Sequence, residues 1–268
     1  MAQVINTNIG SLNAQRNLNT SQSSMQVALQ RLSSGLRVNS AKDDAAGLAI
    51  ASRMESQVRG MNMAVRNAND GISLAQTAEG SLGTIGTNLA RMRELAVQAA
   101  NATSSNDTAS IDLEYQQLAS ENTRVLAATK FNGTALLTGG TTLTFQIGAN
   151  NVALEDRLDV VTGNVTLTPG DVNGQTNAQN AIAQLDTDIG SVATLRATFG
   201  SIQSRFESVI SNLQIAAENQ TAARSRIMDT DFAAETSALT RAQILQQAGT
   251  AMLAQANQMP NNVLTLLR

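Results

Sequence analysis

The sequence predicts a mainly α protein: a long antiparallel coiled-coil bundle built by both halves of the chain, with a small β-hairpin region at its centre. Two long stretches in which apolar residues recur alternately three and four apart predict the coiled coil. A reversing segment of about forty residues between them, rich in β-branched residues, glycine and asparagine, predicts the hairpins. The scarcity of proline, only Pro169 and Pro260, leaves those stretches free to run as helix.

Taken in order, Ile5, Ile9, Leu12, Met25, Leu29 and Leu32 have helical spacing and predict a helix over about 4–32. Ser33-Ser34-Gly35 ends it. Ser40 with Asp43 resembles a capping box with Asp in place of Glu, which predicts a new helix start near Ala41. The most regular segment follows, about 44–99, with Val58, Met61, Val65, Ala68, Ile72, Ala75, Ala78, Leu82, Ile85, Leu89, Met92 and Ala96 on one seam. One extra step of three at Ile72–Ala75–Ala78 is a stammer. Glycines at 60, 71, 80, 83 and 86 each weaken such a helix by roughly 1 kcal/mol relative to Ala. Neighbouring helices are therefore expected to supply the missing stability or to approach closely at those positions.

Asn101 to Asp107 is a polar turn, and Ile111, Tyr115, Leu118 and Val125 mark a third helix that stops at Phe131-Asn132-Gly133. Thr141 to Ile147, Val152-Ala153-Leu154 and Val160 to Leu167 are strand-like, with turns at Gly139-Gly140, Asn150-Asn151 and Gly163-Asn164. From Ala178 a second long seam runs through Ile182, Leu185, Ile189, Val192, Leu195, Phe199, Ile202, Phe206, Val209 and Leu213 to Ile227, again with one stammer. Two seams with matching discontinuities predict antiparallel partners. Asp229 and Asp231 favour a fresh helix near Phe232. Its seam is Leu245, Ala248, Met252, Ala256, Met259, Val263 and Leu266.

Composition restricts function. With five Phe and one Tyr as the only aromatics, the core is built from Ala, Leu, Ile, Val and Met. The absence of Cys and His removes thiol nucleophiles, Cys/His zinc sites and imidazole catalysis. A net charge of −3 gives no basic face for nucleic acid. No apolar run is long enough to insert in a membrane, and Met1 to Leu32 lacks the pattern of a cleaved secretory signal. Gly80-x-x-Gly83-x-x-Gly86 lies within a helical pattern, follows no strand and lacks a Lys-Ser/Thr, so helix packing explains it better than a phosphate loop. Asp43-Asp44 is explained by helix N-terminal charge without a cation. No catalytic constellation emerges, and no cofactor or metal is expected.

The two ends are unusual. Met1 to Leu32 carries only Arg16 and Arg31 as charged side chains, and Leu239 to Arg268 only Arg241 and Arg268. An exposed helix ordinarily carries more charge. Two readings fit: ends that order on assembly, or an ordinary terminal helical hairpin packed on its own domain. A charged-surface adaptor coiled coil fits less well.

Specific runs stand at both ends: Ile5-Asn6-Thr7-Asn8 with Ser11 to Leu18; Leu32 to Arg37 with Asn39 to Leu48; Asn67 to Gly80; Arg241 to Gly249; and Ala254 to Gln258 with Leu264 and Leu266 to Arg268. These runs resemble the bacterial flagellins. The resemblance covers roughly half of the chain and implies a structural filament subunit, not an enzyme. It implies a filament core domain from residues 1–40 and 230–268, and a helical bundle domain over 41–229 with the β region at about 135–175. It assigns filament-core packing to Ile5, Ile9, Leu12, Leu29 and Leu32, and to Leu245, Ala248, Met252, Ala256, Met259, Val263 and Leu266. The short central segment implies a form without outer variable domains.

The same resemblance implies export without a cleaved signal to an extracellular filament. It implies partners: further copies of the chain, an export chaperone on the C-terminal segment, and filament cap and hook–filament junction proteins. The complete terminal runs favour the filament subunit over a junction protein. Arg91-Met92-Arg93-Glu94-Leu95-Ala96-Val97-Gln98 is similar to the segment that host flagellin-sensing Toll-like receptors contact, which carries Arg91 and Leu95 over as contacts and Glu114 as a third. Ala90 stands where the family commonly has Gln. Leu95 lies off the traced seam, so it is expected on the exposed face.

Overall fold

The structure is a computed structural model that describes residues 7–101, 108–152 and 155–266, with side chains described as far as residue 258. Its elements are α1 (Ile9–Ser34), α2 (Ala45–Ala99), α3 (Thr108–Ala128), β1 (Lys130–Phe131), β2 (Thr134–Ala135), β3 (Thr142–Gln146), β4 (Arg157–Val161), α4 (Gln175–Met228) and α5 (Phe232–Leu266). The mainly α class with a central hairpin region is as the sequence predicts. Most of the expected turn after Asn101 and of the 152–154 run lies outside the described residues. The chain divides into two compact units, one of residues 57–218 and one of residues 1–56 with 219–268.

In the 57–218 unit the core lies between α2, α3, α4 and the hairpin region. Ala68, Ala75, Ala78, Leu82, Ile85, Leu89, Met92 and Ala96 of the α2 seam are buried, as are Ala178, Leu185, Val192, Phe199, Ile202 and Phe206 of α4. Helix α2 also buries residues off the seam, Ala64, Leu74, Leu95 and Ala99. The reason is that α2 has packed neighbours on two sides. Asn88 Nδ2 donates to Asn122 Oδ1 of α3 at 2.8 Å, and Arg93 Nε donates to Asp186 Oδ1 of α4 at 2.7 Å.

Not every α2 glycine marks a close approach. A Cβ at Gly71 would overlap the Phe206 ring, and one at Gly60 would stand 2.9 Å from Ala149 Cβ. Gly80 and Gly83 face open space, and only Gly86 of that triplet looks towards α4, at 3.9 Å from Val192. The packing role expected for the triplet is thus absent at two of its three glycines. At Gly80 and Gly83 the helix bears the roughly 1 kcal/mol glycine cost without a compensating contact within the chain.

The hairpin region departs from the sequence reading in detail. Asn132 (φ 46°) and Gly133 (φ 82°) do more than end α3: both adopt the left-handed region, and they turn β1 into β2. Strand β3 pairs antiparallel with β4, joining Leu143 to Val160 and Phe145 to Leu158. The partner strand is Arg157–Val161 rather than a run at Val152 or one extending to Leu167. Within the connection, Asp156 fixes the loop, accepting from Val152 N at 3.0 Å while Ile147 N donates to its carbonyl at 2.7 Å. The hairpin is anchored on the bundle by Phe145, edge-on to Phe206 at 5.5 Å, and by Asn67 Nδ2 donating to Gln146 O at 2.9 Å.

In the other unit, α2 starts at Ala45, later than the Ala41 expected. Asp44 is its cap, accepting from Gly47 N at 2.8 Å, while Asp43 accepts from Ser40 N, Ser40 Oγ and Asn39 N. The hydrogen bonds from Ser40 and Asn39 hold the Asp43 carboxyl below its ordinary value of 3.8. These bonds account for both carboxylates without a cation. Asp231 caps α5 through Ala233 N at 2.9 Å, close to the expected start. A short antiparallel bridge, Arg37 N to Met228 O at 2.6 Å and Thr230 N to Gly35 O at 3.0 Å, joins the two chain segments over a small cluster of Val38, Ala51 and Met228.

Candidate functional site

Helices α1 and α5 pack antiparallel along their length. Asn8 both caps α1, accepting from Ser11 N at 3.1 Å, and donates from Nδ2 to Ala256 O at 2.8 Å. Midway, a Cβ at Gly249 would lie 3.3 Å from Leu18 Cδ1. At the other end, Arg31 approaches Glu235 at 3.8 Å. Gly35, at φ 71°, ends α1 and donates to Arg31 O at 2.8 Å, a left-handed C-cap that only glycine adopts without strain.

The shielded face of α1 is Ser11, Ala14, Leu18, Ser21, Met25, Ala28 and Leu32; that of α5 is Glu235, Leu239, Ala242, Gln246, Gly249, Leu253 and Ala256. Both sets step three and four, a heptad seam. They are mostly small or polar, which lets the helix backbones approach closely.

This seam coincides with the one traced from the sequence only at Met25, Leu32 and Ala256. Of the residues assigned to filament-core packing, Ile9 (68%), Leu12 (52%), Leu29 (48%), Leu245 (51%) and Met252 (63%) are exposed in the single chain, as is Ala248. Leu32 and Ala256 are half-buried within the pair. Ile5 lies outside the described residues, as do the side chains of Met259, Val263 and Leu266. Val27 and Ile244 extend the exposed apolar set. Large aliphatics are thus divided: Leu18, Met25, Leu32, Leu239 and Leu253 lie on the shared seam while these others are exposed, unlike an ordinary two-helix coiled coil, in which large aliphatics concentrate at the partner. Sequence reasoning missed the inner seam because two heptads overlap on each helix and the larger residues dominate the pattern. The small-residue repeat Ser11, Ala14, Ser21, Ala28 was the available signal.

The outward surface is concave in two places. One groove of about 490 Å³ has Gly10, Asn13 and Ala14 of α1 opposite Leu245, Gly249 and Met252 of α5. A second, of about 560 Å³, follows α5 from Ala233 to Leu245 past Ile244. Hydroxyls on α1 are turned inward to their own helix: Thr20 Oγ1 donates to Arg16 O at 3.0 Å and Ser21 Oγ to Asn17 O at 2.9 Å.

On the 57–218 unit, Arg91 and Glu114 are brought together. Arg91 Nε donates to Glu114 Oε1 at 3.0 Å and Arg91 Nη1 to Glu94 Oε2 at 2.9 Å, with all three side chains about half or more exposed. Hydrogen bonds to Glu94 and Glu114 raise the Arg91 guanidinium above its ordinary value. Leu95 is elsewhere: it is 2% exposed and belongs to the core cluster with Ile111 and Tyr115, contrary to the exposed position expected for it. Being off the traced seam does not expose it, since α2 has packed neighbours on two sides.

Two family models match the chain: the bacterial flagellin N-terminal helical region over residues 5–142 and the bacterial flagellin C-terminal helical region over residues 182–267. The chain belongs to the bacterial flagellins. It is 46% identical to a flagellin of Halalkalibacterium halodurans over 271 aligned residues, covering 99% of this chain and 100% of the relative. It is 42% identical to a flagellin of Bacillus subtilis over 302 residues, covering 98% and 99% respectively. Against flagellin B of Vibrio cholerae the identity is 36% over 375 residues, covering both chains completely. The longer alignment reflects the greater length of that flagellin, and at 268 residues the present chain fits a form without a large variable domain. As a flagellin it is a structural subunit of the flagellar filament, which lies outside the cell, and not an enzyme. Among the described residues no helix is long and apolar enough to cross a membrane.

Proposed function

We propose that α1 and α5 of this flagellin form the filament core, and that their outward apolar stripes are covered by other copies of the chain. The observation that carries this reading is the exposure of Ile9, Leu12, Leu29, Ile244, Leu245 and Met252, none of which lies on the seam that the two helices share. Large aliphatics left in water along a nearly uncharged surface are stabilising only when another surface covers them, at roughly 25 cal/mol per Å². Repetition of one heterologous contact gives an open helix of subunits.

Seeded polymerisation followed by electron microscopy tests this. Leu245→Asp is expected to abolish filament growth while leaving the monomer's helical circular dichroism unchanged, because an exposed substitution alters monomer stability by about 0.5 kcal/mol or less. Filaments of Leu245→Asp growing at the wild-type rate would contradict the proposal.

Export and assembly at the tip follow from the same surface. A chain without Cys forms no cross-link that would stop it passing a narrow channel unfolded. Before assembly, an export chaperone holds the C-terminal segment and shields the α5 stripe; the cap and hook–filament junction proteins meet the subunit at the filament end. A host Toll-like receptor reads the exposed Arg91–Glu114 surface, with Leu95 supporting it from within the core. Arg91→Ala is expected to lower receptor signalling by monomers at least severalfold, and unchanged signalling would remove this part of the reading.

A further inference from the structure

We propose that Met252 is an oxidation site that controls assembly: its sulfoxide, formed in the free subunit, excludes that subunit from the filament. This rests on the reading of the α1–α5 outer face as the assembly surface. Among the methionines with described side chains, Met61, Met92 and Met228 are buried and Met25 and Met54 half-buried, whereas Met63 (48%) and Met252 (63%) are accessible. Met63 is on α2 in the 57–218 unit. Met252 alone of the two lies in the α1–α5 groove, with Asn13, Asn17, Leu245 and Gly249 around it.

The chemistry needs a peroxide. The Sδ lone pair attacks one peroxide oxygen, the O–O bond breaks, and with hydrogen peroxide water leaves; sulfur is oxidised by two electrons and the peroxide reduced. The flexible apolar thioether becomes a chiral, polar sulfoxide. Its oxygen then needs a donor inside any interface that covers the groove. The nearby hydroxyls donate to their own helix, Thr20 to Arg16 O and Ser21 to Asn17 O, and one Asn17 amide N–H is directed to Asn13 Oδ1 at 3.5 Å, so the remaining amide N–H groups of Asn13 and Asn17 are the donors a covered sulfoxide would have to compete for. Among the described residues no charged side chain lines the groove to solvate it. A sulfoxide reductase reverses the change, two thiols becoming a disulfide as the oxygen leaves in water. Assembly itself protects the sulfur by covering it.

The test treats full-length monomer with hydrogen peroxide to partial conversion, seeds polymerisation, separates filaments from unassembled chains by centrifugation, and maps sulfoxides by peptide mass spectrometry. Sulfoxide at Met252 is expected to be roughly tenfold scarcer in filaments than in the unassembled fraction, while sulfoxide at Met63 is evenly divided. Methionine sulfoxide reductases acting on both epimers should return the excluded chains to assembly. Equal Met252 sulfoxide in the two fractions overturns the proposal, and so does failure of the reductases to restore assembly to the excluded chains. Wild-type growth by untreated Leu245→Asp would instead sink the assembly reading, a separate failure.

Discussion

Phe206→Ala is expected to destabilise the 57–218 unit by about 3–5 kcal/mol, the usual cost of removing a buried ring. The side chain is fully buried, meets Phe145 edge-on at 5.5 Å, and occupies the space a Cβ at Gly71 would need. Three elements, α2, β3 and α4, therefore lose contact at once, and the hairpin loses its aromatic anchor. Gly71→Ala disturbs the same place from the other side by overpacking, at about 1–3 kcal/mol. Because both act on one contact, their effects should not add: removing the ring relieves the Gly71→Ala clash. Urea unfolding of the monomer measures this as a fall in midpoint at constant slope. A loss below about 1 kcal/mol for Phe206→Ala would mean that the site collapses freely around the missing ring.

A chain lacking residues 1–32 and 240–268 is expected to form no filaments and yet to keep a folded 57–218 unit. The deletion removes α1 except for its last two residues and most of α5, and with them both outward stripes. The other unit keeps its whole apolar cluster, which runs from Ala68 to Phe206 and draws on no deleted residue. The prediction is therefore a separation: thermal unfolding of the core persists with a midpoint close to that of the full chain, while seeded growth falls to background. Filament growth by the truncated chain would place the assembly surface elsewhere.

The long helices were legible because their seams combine three–four spacing with sizeable aliphatics, from Met61 to Ala96 on α2 and from Ala178 to Phe206 on α4. The second buried face of α2 was not, since Ala64, Leu74, Leu95 and Ala99 are sparse along the helix and lie beside a denser apolar seam. Strand β4 was misplaced for a related reason. Its buried residues are only Leu158 and Val160, flanked by the exposed charges Arg157 and Asp159, and that alternation is weaker to the eye than the apolar run at Val152. At the site, the apolar residues of the terminal helices were found from sequence, but not the direction they face. Spacing says that residues share a stripe; it does not say whether the stripe meets the same chain or another. Gly249 against Leu18, and Asn8 against Ala256, fix the seam within the chain, and they leave Leu245 and Met252 exposed beside it.

The most direct measurement uses the absence of natural cysteine. Single cysteines are placed at Leu245, on the outward stripe of α5, and at Thr142, exposed on β3. Each variant is treated with a maleimide as free monomer and again after seeded assembly. Both sites should react fully in the monomer; in filaments Thr142→Cys should still react, while Leu245→Cys should be protected by at least tenfold. Equal labelling of Leu245→Cys before and after assembly would contradict the claim that other copies of the chain cover this stripe.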